Sequence, residues 1–559
     1  ARAELELSLL SKAVAGITGL GMKLYREPFQ RSGGPIRADR VTSLKTAQDA
    51  GYHITGMDVS SHDWEGLSAQ QIVDTIIEQV ESGAGNIVLL HDGGLDRSAT
   101  VAAIPMLITE LRERGYEFTS LSDLLGLSHE TLMPVSDHTA RVLDRISFAA
   151  VSTTQKSVMW IFWIVLSIGV LRSGGVLVLS LLRRPNRPII ASNQPRVSVI
   201  IPAFNEEKVI DQCIKSVLRS DYPNLEVIVV DDGSTDNTLN KVLEFKHKHN
   251  VRLVMQPNQG KWAALNRAIL GLETDIAVCI DADTQICRNS ISRLVGHFSN
   301  PKVGAVAGKI IVGNRHKLLT RLQSLEYSIS QNMDRKAYDL FNGMLVVPGA
   351  MGAWRVQALR DGGLFRKDTM TEDSDLTISV NRAGYRIIYD ENARAYTEAP
   401  ERVHQLLTQR LRWSLGMLQS AWKHKDAVRE RRSIGLVSIP DMFIFGYIFP
   451  ILAPIADLLV LALFVRLYQE GVSAASPELL WAYLTLPILE LALAFIALLR
   501  DRDESLWSLI LWPAYRVLYR PLLYYSVIRS IARAISGRLA NWGKLNRQGR
   551  DYSQVTQVR

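Results

Sequence analysis

The chain has 559 residues, of which 47% are hydrophobic and 21% are charged, and its formal net charge is +8 at pH 7. This length predicts several domains, and the ample apolar content without low-complexity tracts excludes disordered, collagen-like and coiled-coil proteins. Three cysteines, none of them in a CxxC pair, exclude a disulfide scaffold. The positive charge suits a membrane surface or an anionic substrate, and without nucleic-acid-binding signatures we expect no nucleic acid partner.

Residues 1–130 contain short strand and helix patterns and an apolar run that ends at His91. A histidine in this position is often structural. The surrounding motifs, however, resemble the second half of a NodB-type polysaccharide deacetylase domain: Arg26-Glu-Pro-Phe29, Asp63-Trp64 and Leu89-Leu-His-Asp92. The resemblance implies that His91 is a general acid supported by Arg26 and Asp63.

The zinc ligands of that family are missing from this chain. No aspartate pair precedes Arg26, and the first histidine is His53. Without these ligands no metal-bound water forms, so we expect no deacetylase activity from the chain as given. Because the chain starts without Met, we expect residues upstream to complete the domain; a degenerate structural remnant is the alternative. In either case, the presence of a deacetylase-like domain favours an N-acetylglucosamine polymer as the product of the protein. This is an argument from association alone.

Ser157–Leu182 is an apolar run long enough to cross a bilayer, and three arginines follow it within five residues. The positive-inside rule then predicts that the downstream side is cytosolic and that residues 1–130 are extracytoplasmic. A buried core helix is the alternative.

Residues 190–400 alternate short apolar strands with helical patterns, which predicts a parallel, doubly wound sheet. Ligands of such sheets bind at the carboxyl ends of the strands. Four acidic residues follow two of these strands: Asp231, Asp232, Asp281 and Asp283. Because strand side chains alternate, Asp281 and Asp283 point the same way, which suits Mg²⁺ or Mn²⁺ shared with substrate phosphates. Solvated turn residues are the alternative for both pairs.

Three further groups are candidates for chemistry. Lys261 could meet a phosphate, and Asp373 in Thr371-Glu-Asp373 could deprotonate an acceptor hydroxyl, although Thr-Glu-Asp also reads as the start of a helix. Gln409, Arg412 and Trp413 share one face at helical spacing, which suits a sugar diphosphate or a membrane-surface helix, or both.

Residues 195–430 resemble the family 2 inverting glycosyltransferases, specifically the processive membrane synthases of chitin, hyaluronan, cellulose and poly-N-acetylglucosamine (NodC-like). The motifs that carry this resemblance are Pro202-Ala-Phe-Asn-Glu206, Val230-Asp-Asp-Gly-Ser234, Asn258-Gln-Gly-Lys261, Asp281-Ala-Asp283, Val347-Pro-Gly-Ala-Met-Gly352, Thr371-Glu-Asp373, Gln409–Trp413 and Asn541-Trp-Gly-Lys-Leu-Asn-Arg547.

The resemblance implies a GT-A (Rossmann-like) fold and a role for each matching residue. It implies that Asp373 is the catalytic base and that Asp283, with Asp281, holds Mg²⁺ or Mn²⁺. The residues implied to bind the donor are Glu206, Asp232, Lys261, Asp281, Gln409, Arg412 and Trp413. Those implied to lie near the acceptor are Gly349, Gly352 and Glu372.

Beyond residue 400 we expect amphipathic interface helices over 401–440, about three membrane spans within 442–528 and a basic tail over 529–559. The predicted spans are Met442–Val465, Leu479–Leu499 and Leu506–Ile528, and the charged residues inside them are Asp457, Glu490, Arg516 and Arg520. These charges indicate either a polar path for a polymer or ion pairs between helices. Three spans would leave the basic tail outside, against the positive-inside rule, so one span is miscounted or Leu506–Ile528 lies in the interface.

Together these expectations describe a multi-pass inner (plasma) membrane enzyme with a cytosolic catalytic domain. It would polymerise a UDP-sugar, UDP-N-acetylglucosamine foremost, into a β-linked polysaccharide and export it. The alternatives are a single transfer to a lipid carrier and a non-catalytic export scaffold.

Overall fold

A computed structural model describes residues 2–26, 38–93, 96–184, 188–189, 194–247, 250–470, 477–537 and 547–558. The chain divides into two compact units, Ala1–Ile161 and Phe162–Arg559, which we call the N-terminal and C-terminal units.

The N-terminal unit is a small α/β assembly. Its helices are α1 (Arg2–Thr18), α2 (Ala38–Asp49), α3 (Ala69–Glu81), α4 (Ser98–Glu113), α5 (Leu121–Leu125) and α6 (His129–Leu132), and its strands are β1 (Leu24–Tyr25), β2 (His53–Ile54), β3 (Val59–Ser60) and β4 (Val88–Leu89). The strands form two parallel pairs, β1 with β2 and β3 with β4. Ile72 and Ile76, one turn apart on α3, pack with Leu107 and Leu111 of α4 to form the core.

The 45-residue helix α7 (His138–Leu182) begins in the N-terminal unit and ends in the C-terminal unit. It contains the whole of the first predicted span, Ser157–Leu182. Its basic end is fixed in the C-terminal unit, where the Arg183 guanidinium binds the Asp339 carboxylate at 2.6 Å.

The C-terminal unit is built on an eight-stranded sheet with the order β7-β6-β5-β8-β11-β10-β12-β9. Its strands are β5 (Val197–Ala203), β6 (Leu225–Asp231), β7 (Val251–Met255), β8 (Ile276–Ile280), β9 (Gln285–Ile286), β10 (Val303–Val312), β11 (Met351–Arg355) and β12 (Arg386–Thr397). The four predicted strands are β5 to β8, and they run parallel as expected. The expectation of a wholly parallel sheet is wrong, because β11 is antiparallel to both β8 and β10.

Helices cover both faces of this sheet. They are α8 (Ile210–Leu218), α9 (Thr238–Leu243), α10 (Lys261–Leu270), α11 (Ser290–Gly296), α12 (Leu318–Glu326), α13 (Asn332–Leu340), α14 (Val356–Asp361), α15 (Glu372–Arg382) and α16 (Val403–Lys423). Helices α8 and α11 contribute to the core on one face, and α10, α14 and α15 to the core on the other. This three-layer packing buries both sides of the central strands, as their continuous apolar runs require.

After α16 the chain is largely helical. The helices are α17 (Ile439–Phe443), α18 (Phe449–Glu470), α19 (Pro477–Arg500), α20 (Trp512–Ala514), α21 (Arg520–Ile535) and α22 (Ser553–Val558). By length and composition alone, two helical runs among the described residues could cross a membrane, His138–Leu182 and Ile434–Leu458. Helix α19 covers the predicted span Leu479–Leu499.

The third predicted span, Leu506–Ile528, is not one continuous α-helix. It begins as a 3₁₀ helix, passes through α20 and a π-helical turn, and only then enters α21, which packs against α16. The segment just before it is anchored on the sheet: Lys309 of β10 binds Asp501 and Asp503, and Arg394 of β12 binds Asp503 at 3.2 Å.

The C-terminal segment 547–558 also lies on the sheet. Glu398 accepts hydrogen bonds from the backbone of Gln548 and Arg550 at 2.8 and 2.9 Å. The Tyr552 ring is buried beside Tyr396, over Gly313, where the lack of a side chain leaves room for it. The segments on either side of 506–535 therefore both contact the eight-stranded sheet.

Candidate active site

A cavity of about 1220 Å³ opens at the carboxyl ends of β5, β6 and β8 and is closed by α15 and α16. The sequence-predicted residues that line it are Glu206, Asp232, Lys261, Asp281, Asp283, Gly349, Glu372, Asp373, Gln409, Arg412 and Trp413. Gly352 is the exception among the predicted site residues of this unit. It lies inside β11, where a Cβ would be 2.4 Å from the Val347 side chain, so its place near the acceptor is not supported.

Asp232 organises the loop that leads into α10. Its carboxylate accepts hydrogen bonds from the Gln256 side chain at 2.7 Å and from the Gln259 and Gly260 amides at 3.0 and 2.8 Å. This loop ends at Lys261, the first residue of α10. Asp232 therefore shapes the cavity wall as well as lining it.

Lys261 lies among three carboxylates. Its ammonium is 2.5 Å from Asp281 and 3.7 Å from Glu372. Burial would lower the pKa of Lys261, but Asp281, Glu372 and Asp373 outweigh it and raise the pKa. Lys261 therefore keeps its positive charge in the cavity.

Asp373 stands in the first turn of α15. Its carboxylate accepts hydrogen bonds from the Gly349 and Ser374 amides at 3.1 and 2.9 Å. Burial raises the pKa of Asp373, while Lys261 and these two amides oppose the rise. A carboxylate that is oriented by backbone donors and has a raised pKa is suited to accept a proton.

Asp283 is paired with Arg547 of the C-terminal segment. Burial raises the pKa of Asp283, Arg547 opposes the rise and Asp281 adds to it, so the two carboxylates repel one another. No group of three or more His, Cys, Asp or Glu side chains that could hold a metal occurs within the described part of the chain. The pair Asp281 and Asp283 still fits a hard divalent cation that takes its remaining ligands from a diphosphate.

Helix α16 presents Gln409, Arg412 and Trp413 to the cavity, as its spacing predicts. Between them Arg410 points away. Its guanidinium is buried against Glu326 at 2.7 Å and the Tyr519 hydroxyl at 3.2 Å, and it stacks on Trp413 at 4.5 Å. Arg410 thus fixes the helix that carries the motif, a role that the sequence analysis did not identify.

The sequence analysis also missed two groups that line the same cavity. One is Arg335 on α13. The other is Arg172 of α7, whose guanidinium is 3.0 Å from Asp334 and 3.2 Å from Asp441. A lone arginine in an apolar span was the available signal for Arg172, and nothing in the local sequence singled out Arg335.

Three of the predicted in-span charges pair with each other. Glu490 binds Arg516, and its other oxygen is 2.6 Å from Arg520. None of the three lines the cavity. The ion-pair interpretation of these charges is favoured over a polar path.

In the N-terminal unit, the structure brings Asp63 and His91 together. The His91 ring Nδ1 is 2.8 Å from the Asp63 carboxylate, which also accepts from the Ser61 and Thr100 hydroxyls. Burial raises the pKa of Asp63, but these hydrogen bonds outweigh burial and hold the pKa below its usual range. Arg26 is not among the partners described for Asp63, and residues 27–29 and 541–546 of the predicted motifs lie outside the described residues.

Comparisons with known proteins support a class of enzyme. Residues 198–363 match the family model "Glycosyl transferase family 2". A poly-beta-1,6-N-acetyl-D-glucosamine synthase of Staphylococcus epidermidis is 29% identical over 275 residues, which cover 47% of this chain and 65% of that protein. The same enzyme of Staphylococcus aureus strain COL is 29% identical over 222 residues, covering 39% and 54%. These matches support a hexosyltransferase.

The chain thus spans less than two thirds of these relatives. A solved mannosyltransferase of Pyrobaculum calidifontis, in complex with GDP-Man and Mn²⁺, is 21% identical, with a TM-score of 0.44 over 68% of this chain and 100% of that one. The family match and the mixed sheet agree with a GT-A-like fold.

Proposed function

We propose that the chain is a membrane-embedded processive glycosyltransferase that polymerises UDP-N-acetylglucosamine into a β-linked polysaccharide and exports it. The observation that carries this proposal is one cavity that contains both a backbone-oriented carboxylate, Asp373, and the Lys261–Asp281 pair. The family match supports the reaction class, and the names of the staphylococcal relatives support the donor and the polymer.

The reaction is an in-line displacement at the anomeric carbon. The acceptor hydroxyl gives its proton to the Asp373 carboxylate while its oxygen forms the glycosidic bond, and the bond to UDP breaks. The amides of Gly349 and Ser374 hold Asp373 in place for this transfer. Lys261 supplies positive charge beside the leaving diphosphate, where such charge stabilises the transition state most. A divalent cation held by Asp283 and Asp281 would neutralise the diphosphate further.

The proposed topology places the catalytic sheet in the cytosol and the N-terminal unit outside, with α7 crossing the membrane between them. Two crossings, α17–α18 and α19, follow the catalytic domain. The anchoring of Asp501 and Asp503 on β10 and β12 favours an even number of crossings here. The proposal includes the resemblance of the N-terminal unit to a polysaccharide deacetylase domain, and the contact between Asp63 and His91 supports that resemblance.

The test uses membranes that contain the full chain, with UDP-N-acetylglucosamine and Mg²⁺ or Mn²⁺. We expect a polymer, and we expect Asp373→Asn to lower turnover about 10²- to 10⁴-fold while UDP still binds. Asp211→Asn is the matched control, because Asp211 pairs with Lys215 on α8 and does not line the cavity. A single sugar on lipid would replace the polymerase proposal with single transfer, and no UDP release from any UDP-sugar would refute the enzyme.

A further inference from the structure

Arg335 is a buried cation in the cavity with unused hydrogen-bonding capacity. It is only 8% exposed, it lines the cavity, and its Nη1 atom has no hydrogen-bond partner among the described residues. Its Nη2 atom makes one long bond, 3.5 Å, to the Gln331 side chain. A buried guanidinium with an unsatisfied N–H group is costly, so its retention calls for a ligand that supplies oxygen atoms.

The backbone around Arg335 is also unusual. The five residues before α13, Tyr327–Gln331, form a π-helical turn inside a helical run that begins at α12. Such turns are rare and occur frequently at functional sites, because they change the direction in which the following side chains point. Tyr327, Gln331 and Arg335 all line the cavity.

Arg335 and Lys261 share one anionic neighbour in the cavity. Asp373 interacts electrostatically with both cations, Lys261 and Arg335. The other carboxylates acting on Lys261 are Asp281 and Glu372, whereas the other carboxylate acting on Arg335 is Asp334. Burial lowers the pKa of Arg335, and these neighbours oppose the shift.

A second unpartnered atom in the cavity accepts rather than donates. It is the buried Oε1 of Gln409 on α16. The cavity thus offers a free N–H donor and a free oxygen acceptor. A diphosphate can use only the donor, whereas a sugar, with hydroxyl groups that both donate and accept, can use both.

We propose that Arg335 binds the acceptor sugar through a hydroxyl or N-acetyl oxygen and holds the acceptor hydroxyl at Asp373. This inference rests on the proposed function, because it deepens the role of the same cavity. It assigns the acceptor side to α13 and leaves the donor side to Lys261 and the strand ends.

The experiment measures binding, without turnover, of a short N-acetylglucosamine oligosaccharide and of UDP to the purified full chain. For Arg335→Gln we expect the oligosaccharide affinity to fall about 10- to 100-fold, as for a lost hydrogen bond to a charged group, with UDP affinity within about twofold. Lys336→Gln is the matched control. It removes the same charge from the next position of α13, where Lys336 pairs with Glu391 and does not line the cavity.

An unchanged oligosaccharide affinity in Arg335→Gln overturns the inference, and so does a loss confined to UDP, which would assign Arg335 to the diphosphate. Should Arg335→Gln fail to fold, Arg335→Lys takes its place. It keeps the charge but loses the planar fork, so we expect about a tenfold loss, and wild-type affinity would overturn the inference. A chain that binds the oligosaccharide through Arg335 but transfers no sugar would reject the proposed function and keep this inference.

Discussion

Gly349 shows how tightly the catalytic groups are arranged at the scale of single residues. A Cβ at this position would lie 2.6 Å from the Lys261 ammonium, 3.6 Å from an Asp373 oxygen and 3.7 Å from an Asp281 oxygen. The missing side chain lets the backbone amide of Gly349 approach Asp373. Position 349 therefore needs glycine for space, not for backbone conformation.

We predict that Gly349→Ala lowers turnover about 10- to 100-fold with little change in stability. The methyl group displaces the end of the flexible Lys261 side chain, which can move without disturbing the core. Gly271→Ala is the control, since a Cβ there meets nothing closer than 3.7 Å. The measurements are UDP release and the midpoint of thermal unfolding. Wild-type turnover in Gly349→Ala would contradict the tight arrangement.

Carboxylates at strand ends could be predicted because a short strand pattern fixes where its last side chains lie. Asp232, Asp281 and Asp283 are all in the cavity for this reason. Arg335 could not be predicted, because its direction depends on a π-helical turn that leaves no periodic signal. Gly352 does not line the cavity because it lies inside β11, between β8 and β10, and its place near the acceptor stays a prediction.

At the scale of elements, one buried ion pair joins the helix that carries Asp373 to the helix that carries Trp413. Asp375 of α15 accepts from Lys423 at the end of α16 at 2.7 Å and from the following residue, His424, at 2.9 Å. Burial raises the pKa of Asp375, but these two partners outweigh it and hold the pKa below its usual value. The two walls of the cavity are thus fixed to each other.

We predict that Asp375→Asn destabilises the protein by about 3 kcal/mol at pH 7, because it neutralises a buried carboxylate that Lys423 and His424 contact. A lowered pKa means that this stabilisation is present above the usual aspartate pKa of about 3.9 and is lost as the pH falls through the lower folded-state value. The difference in unfolding midpoint between wild type and variant should therefore shrink below about pH 4.

The control is Asp368→Asn, which removes a carboxylate that also contacts Lys423, at 2.9 Å, but is 53% exposed. Exposed pairs contribute about 0–1 kcal/mol, so we expect little change. A difference for Asp375→Asn that stays constant down to pH 3 would mean that the charge of Asp375 is not what stabilises the contact.

Half of the sheet could be predicted from local pattern, and half could not. The parallel strands β5 to β8 are apolar runs separated by helical patterns, which is a strong local signal. Strand β10 contains Lys309, whose charge interrupts the apolar run and is neutralised only by Asp501 and Asp503, far along the chain. Such long-range compensation has no local signature.

At the scale of the whole molecule, the chain leaves the catalytic sheet after α16 and returns to it twice. The first return is at Asp501 and Asp503, and the second is over 547–558. Hydropathy alone counted three spans after the catalytic domain because Leu506–Ile528 is apolar enough. In the structure this segment is interrupted by 3₁₀ and π-helical turns, and α21 packs against α16. The number of spans stays a prediction.

We predict that a fluorescent protein fused after Arg559 folds in the cytosol and fluoresces, and that alkaline phosphatase fused there is inactive. Phosphatase fused to a chain that stops after Glu470, the end of α18, should be active, because one crossing has been made. Active phosphatase fused after Arg559 would contradict this prediction and would favour three spans after the catalytic domain.

The contact between Asp283 and Arg547 means that codons far apart in the messenger RNA encode one cavity. The lining residues span Arg172 to Arg547, so this whole stretch must be translated before the pocket has its full charge complement. A nascent chain that ends before Arg547 lacks the cation beside Asp283 and the Tyr552 anchor. Sugar nucleotide would then be consumed only by molecules translated past Arg547, and a stop codon just before Arg547 should be as damaging as an early one.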